Sequence, residues 1–193
     1  MPSGIFRLTK EKASSGKHYF LDANVWIFAL GNPSSNSKGQ EYIDFLDSLL
    51  EKEFKIYSHT ILISEVFNAL MRINFKDFVH TEELRIGKSQ KLDFKRDFRQ
   101  TEEYFQAFSR FQSDIEAYIP FLQMLDKEYN YEMSYLIKNL PPNSDFNDYL
   151  YYEMALDLGL TIVTDDSDFN YGGIEILTEN PKLLRSKHLY RRQ

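Results

Sequence analysis

Apolar positions along this chain switch between short unbroken runs and helical stripes, and those switches predict its elements. Residues 18–30 begin like a buried strand, turn at Asp22-Ala23-Asn24 and continue as a second apolar run. A Ser/Asn/Pro loop follows over residues 31–39. Tyr42, Ile43, Leu46, Leu49 and Leu50 recur at helical spacing and predict a helix over 40–52, with a short strand over 54–58 behind it. Leu62, Val66, Ala69, Leu70 and Ile73 form one stripe of an amphipathic helix over 60–74.

Helical periodicity dominates residues 76–142. Phe94, Phe98, Phe105, Phe108, Phe111, Ile115 and Ile119 recur at threes, fours and sevens, and Pro120 ends or kinks that helix. A helix over 145–158 stops at Gly159, and strands follow over 161–164 and 174–178. This order predicts an α/β fold with a mostly parallel sheet. One domain over 18–180 fits the length, with 76–142 as a helical insert. Residues 1–17 read as a loose N-terminal arm and 181–193 as a basic C-terminal tail.

Composition narrows the chemistry. With no cysteine, disulfides, Cys-ligated zinc and thiol catalysis are excluded. The first twenty residues hold no run resembling a signal peptide, and the longest apolar stretch, Val25 to Leu30, is far too short to span a bilayer. A soluble, cytoplasmic protein with no membrane partner is the expectation. Twenty-three Lys and Arg oppose 29 Asp and Glu, a formal charge of −6, which by itself argues against a nucleic-acid partner. The charges are segregated, however. Arg85, Lys88, Lys91, Lys95, Arg96 and Arg99 cluster around Phe94 and Phe98, a mix able to track a single strand and stack its bases. The competing reading makes those phenylalanines helix core.

Four acids stand out by position. Asp22 and Asp166 follow predicted strands, where open parallel sheets place their sites. Glu65 and Asp148 fall near helix starts. At 100° per residue, Glu65 lies about 60° from Leu62, and Asp148 about 20° from Ala155, so both border apolar stripes. Acids so placed are costly unless paired or bound to cations. Each also has a plain structural reading: Asp22 as a turn former or cap, Glu65 on the helix dipole, Asp145 with Asp148 as cap and third helical residue. His18, His59, His80 and His188 are scattered, without zinc-ligand spacing, so an all-oxygen site suits Mg²⁺ or Mn²⁺. Self-repulsion within such a cluster predicts that Asp22→Asn leaves metal-free stability unchanged or higher. No Gly-x-Ser-x-Gly elbow, Walker loop or dinucleotide fingerprint is present. Asn24 stands where a phosphoaspartate phosphatase would need a second aspartate.

Leu21-Asp22-Ala23-Asn24, the stretch Ser64 to Leu70, the stretch Asp148 to Ala155, and the stretch Gly159 to Phe169 together resemble PIN-domain ribonucleases, including the VapC-like toxins. The resemblance covers both ends of the chain and skips most of 76–142. It implies a three-layer α/β/α fold and an endoribonuclease that uses Mg²⁺ or Mn²⁺ and leaves 5′-phosphate and 3′-hydroxyl ends. It makes Asp22, Glu65, Asp148 and Asp166 the catalytic, metal-binding acids, with Asp168 as an auxiliary metal ligand and Asn24 and Thr164 as supports. Asp145 and Asp165 are additional acids beside the third and fourth positions, so Asp165 is an alternative to Asp166. Three readings stay open: a toxin held by an antitoxin protein, a housekeeping RNA-processing nuclease, and a non-catalytic interaction module. RNA is the expected partner of either enzyme, and a homodimer is compatible with both.

Overall fold

The computed structural model describes residues 3–10, 13–31, 39–86, 91–126, 132–186 and 190. Its frame is a sheet of six strands: β1 (Gly4–Arg7), β2 (His18–Leu21), β3 (Ile56–Ser58), β4 (Leu122–Met124), β5 (Leu160–Val163) and β6 (Glu175–Thr178). They lie in the order β1-β6-β5-β2-β3-β4, and every neighbouring pair is parallel. The helices are α1 (Ala23–Leu30), α2 (Gln40–Glu51), α3 (Thr60–Ile86), α4 (Glu102–Tyr118), α5 (Met133–Asn139) and α6 (Phe146–Leu158). The expected α/β class holds, with a sheet that is wholly parallel.

Adjacent residues of β2 show how the layers form. Side chains alternate across a strand, so Tyr19 and Phe20 face opposite ways. Tyr19 meets Phe45 of α2 edge-on at 5.4 Å, and Phe20 meets Tyr151 of α6 at 5.0 Å. Right-handed crossovers demand the same outcome. The chain steps one way across the sheet from β2 to β3 and the other way from β4 to β5, so the intervening helices cover opposite faces. Covered on both sides, β5 and β6 are buried at every position, which is why they read as unbroken runs without alternation.

Two compact units make up the chain: residues 1–63 with 121–193, and residues 64–120. The first holds the sheet. It also corrects two expectations. The segment 1–17, expected as a loose arm, carries β1, registered from Gly4 against Glu175 to Arg7 against Thr178. Arg7 pairs with Glu179 at 2.7 Å, and Leu8 is buried. Local periodicity misses an edge strand whose partner lies far along the chain. The stretch 76–142 likewise contains β4, only three residues long and directly behind Pro120 and a 3-10 turn, so no alternation could announce it.

The second unit is helical. Between Thr60 and Ile86 there is neither Gly nor Pro, so α3 continues well past Asn74. Phe75 and Phe78 of α3, Phe94, Phe98 and Tyr104 form one ring cluster at 5.2–6.5 Å, with Phe98 fully buried at its centre. Of the recurring phenylalanines, Phe98 is core, Phe94, Phe108 and Phe111 are half-buried, and Phe105 is exposed. Their expected single helix is broken: Asp93 caps a five-residue wide turn over Phe94–Phe98, and Thr101 caps α4 through its hydroxyl on the Tyr104 amide.

Candidate active site at the carboxyl edge of the sheet

Continuing the strand registers past their ends sets Thr178, Thr164, Asp22 and His59 side by side in one row. This is the edge where open parallel sheets build sites. At the far side of the row, Asp126 accepts the Thr60 amide with both carboxylate oxygens, and the His59 Nδ1 accepts the Ile61 amide.

Asp22 sits at the centre and is buried, 6% exposed. It caps α1, its Oδ1 accepting the Ala23 amide at 2.7 Å, so the plain structural reading of this residue is also true. Its Oδ2 accepts the Thr164 hydroxyl at 2.6 Å and the Asn24 amide at 2.7 Å. Thr164 in turn accepts the Asp166 backbone N–H at 2.9 Å, and the Asn24 carbonyl accepts the Asp165 N–H at 3.0 Å. The loop after β5 is thus registered on the loop after β2 by neutral donors and acceptors. Such outer partners fix the orientation of a ligating carboxylate.

Asp165 and Asp166 are neighbours in the chain with different surroundings. The Tyr42 hydroxyl of α2 donates towards Asp165 Oδ1 at 2.9 Å, and the Asn180 side-chain amide donates to the Asp165 carbonyl. Asp166 instead begins a tight turn, its Oδ1 accepting the Asp168 N–H at 2.8 Å. A cavity of about 660 Å³ opens beside them, lined by Glu41, Tyr42, Asp165, Asp166, Asn180 and Lys182. Tyr42 and Asn180 carry no motif, and nothing in the sequence announced them. Only the buried position of Tyr42 on the α2 stripe was legible.

The other two acids occupy different elements. Asp148 is half-buried in the first turn of α6. Burial pushes the Tyr171 phenol up, and the charges of Asp148 and Asp145 push it the same way. Asp145 holds the cap position of α6, yet its side chain accepts no helix N–H. Glu65 lies half-buried on the second turn of α3, in the helical unit. Hydrogen bonds therefore join Asp22 to Asp166 and Asp168 through Thr164, while Asp148 lies on α6 and Glu65 on α3 of the helical unit. Among the described residues, no three carboxylate or imidazole groups stand close enough to hold one ion.

The donor set nevertheless has the chemistry of a hard-cation site. All its groups are oxygen ligands. A carboxylate has about four lone-pair positions. Asp22 accepts from Ala23, Asn24 and Thr164, and these neutral donors fix the direction of its carboxylate. Asp22 with Asp166 fits Mg²⁺ or Mn²⁺ better than a nitrogen- or sulfur-seeking metal.

The basic stretch expected to meet RNA is largely engaged within the helical unit. Arg85 pairs with Glu82 and Arg96 with Asp97, each at 2.7 Å, and the Arg99 guanidinium lies 5.4 Å over the Phe94 ring. Lys91 and Lys95 are exposed, whereas Lys88 lies outside the described residues, as do Lys187, Arg191 and Arg192 of the tail. No described helix is long and apolar enough to cross a membrane.

No curated protein matches the chain. The model of the PIN-domain family does, over residues 19–173, a span that opens at β2, takes in the Asp22 and Asp166 loops, and closes just before β6. PIN domains are generally nucleases, and RNA is the substrate class the fold points to. The sequence match, the parallel sheet and the acidic loops at its carboxyl edge agree: this chain belongs to the PIN-domain family.

Proposed function

We propose that the chain is a Mg²⁺- or Mn²⁺-dependent endoribonuclease whose metal-binding acids are Asp22, Glu65, Asp148 and Asp166, with Asp168 beside them. The observation that carries this reading is the network from Asp22 through Thr164 to Asp166, which fixes two acidic loops against each other at adjacent strand ends. Among the described residues no lysine or arginine pairs with Asp166 or Asp168, in contrast to Glu82 and Asp97 of the helical unit. The same contrast favours Asp166 over Asp165 as the fourth acid, because Asp165 is committed to Tyr42.

When bound, a divalent ion supplies a lowered water pKa and positive charge for the phosphate. The protein's part is orientation. Thr164 and Asn24 hold Asp22 in one rotamer, and the Asp166–Asp168 turn presents its free oxygens without rearrangement. The cavity beside Asp166 gives the strand room on the α2 side. Water as the nucleophile leaves 5′-phosphate and 3′-hydroxyl ends.

The test is incubation of pure protein with total RNA, with and without Mn²⁺, beside an Asp148→Asn control. Cleavage that needs Mn²⁺, vanishes in the variant and leaves 5′-phosphates is expected. A 2′,3′-cyclic phosphate product, or cleavage unchanged by the substitution, overturns the reading. Growth arrest on expression, relieved by a co-expressed neighbouring small protein, separates a toxin from a housekeeping enzyme.

A further inference from the structure

Tyr42 is the third residue of α2 and only 2% exposed, yet its hydroxyl reaches the ends of two strands. It meets Asp165 Oδ1 at 2.9 Å, the Thr164 carbonyl at 3.2 Å and the Thr178 hydroxyl at 3.3 Å, and it accepts the Glu179 N–H at 2.8 Å. Packing alone does not call for this group, since a phenylalanine would fill the same space and burying a hydroxyl is costly. The ring itself is clamped. It stacks on Phe28 of α1 at 5.6 Å, and Phe28 presses on the bare backbone of Gly39, where a Cβ would meet its ring carbon at 2.6 Å. Gly39 adopts φ +121°, so a side chain there is disfavoured twice over.

The consequence falls on the peptide joining Asp165 to Asp166. Asn24 of α1 holds the Asp165 N–H, Asn180 beyond β6 holds the Asp165 carbonyl, Tyr42 holds its carboxylate, and Thr164 holds the Asp166 N–H. Three separate elements thus fix the backbone from which Asp166 projects. Losing the Tyr42 tether removes the hold of α2 on the Asp165 carboxylate and loosens the turn that presents Asp166.

We infer that Tyr42 is a positioning residue of the nuclease site: by tethering Asp165 it sets the direction in which Asp166 faces Asp22. This rests on the ribonuclease reading above. Burial pushes the Tyr42 phenol up, so it keeps its proton and remains a donor throughout the working range.

Tyr42→Phe, which keeps the ring and removes the tether, tests the inference. In metal-free protein, hydrogen exchange at the Asp165 and Asp166 amides should quicken about tenfold or more while α1 and α6 keep wild-type protection. Titration with Mn²⁺ alone should show affinity weakened about tenfold, in the range typical of lost outer-shell partners. For a short RNA, kcat should fall with KM unchanged. Asn180→Ala, which removes the neighbouring tether, should loosen the same turn and weaken Mn²⁺ similarly. Wild-type Mn²⁺ affinity and turn exchange in either variant overturn the inference, as does a uniform loss of protection across the sheet unit. If the wild type neither binds Mn²⁺ nor cuts RNA, the ribonuclease reading fails, and the positioning role falls with it.

Discussion

Acids in the helical unit and the acids of the Asp22 and Asp165 loops are partnered differently. In the helical unit, Glu82 and Asp97 are each met at 2.7 Å by an arginine close in sequence, on the surface. At the sheet edge, a threonine hydroxyl, a side-chain amide and a backbone N–H donate to the Asp22 carboxylate, and a tyrosine hydroxyl donates to that of Asp165. Neutral donors orient a carboxylate without cancelling its charge, whereas an arginine cancels it. The contrast teaches that the partner of an acid, more than the number of acids nearby, decides whether its charge is oriented or cancelled. The same holds for the cations: Arg85, Arg96 and Arg99 look like a nucleic-acid patch in the sequence, and in the structure each is occupied by a neighbour on its own unit.

The largest effect that would sharpen this comparison belongs to Asp22→Asn. Loss of a metal-binding acid should cost about 4 kcal/mol of transition-state stabilisation, roughly 10³-fold in rate, read by RNA cleavage in Mn²⁺. Its stability effect changes sign from the sequence expectation. Self-repulsion alone left metal-free stability equal or higher, but three hydrogen bonds now end on this buried carboxylate. An asparagine sets an amide N–H₂ against those donors, and metal-free thermal unfolding should show a loss of about 1–3 kcal/mol. An unchanged or raised midpoint would restore the repulsion argument and break the contrast.

Next comes Phe98→Ala, at the centre of the aromatic cluster. Truncating a fully buried phenylalanine should destabilise the helical unit by about 3–5 kcal/mol, measured by denaturant unfolding. A loss below about 1 kcal/mol would return these rings to the role of exposed stacking platforms.

The smallest effect is electrostatic. Hydrogen bonding to the Arg96 guanidinium, with help from the Asp93 amide, holds the Asp97 carboxyl at about 2, below its ordinary value. A depressed folded-state pKa stabilises above the unfolded value, near pH 4, and the contribution disappears as pH falls towards 2. Wild type should therefore exceed Asp97→Asn slightly in melting temperature at neutral pH, with the gap closing in acid and in high salt. A gap that persists at pH 2 would show that the pair acts through packing and not through charge.

Much of the fold was legible because its signals are local. The α2 stripe, the stop at Gly159, and the buried runs of β5 and β6 depend on residues a few positions apart. Gly159 takes φ 66°, the left-handed conformation glycine favours at a helix end. The strand-end acids were legible for the same reason, since Asp22 and Asp166 sit where an apolar run stops. What stayed hidden was long-range. β1 gains its identity only from β6, and β4 only from β3.

The sequence by itself determined the α/β class, most of its helices and strands, and the acids at the strand ends, because periodicity and strand-end chemistry are written in neighbouring residues. The tertiary structure alone decided which acids are tethered and which are neutralised. Asp165 and Asp166 are adjacent and chemically identical, and only the arrival of Tyr42, Asn180 and Asn24 from distant parts of the chain gives them different tasks. A hydrogen bond acts over about 3 Å of space and is indifferent to separation along the chain, so no local pattern could have announced it.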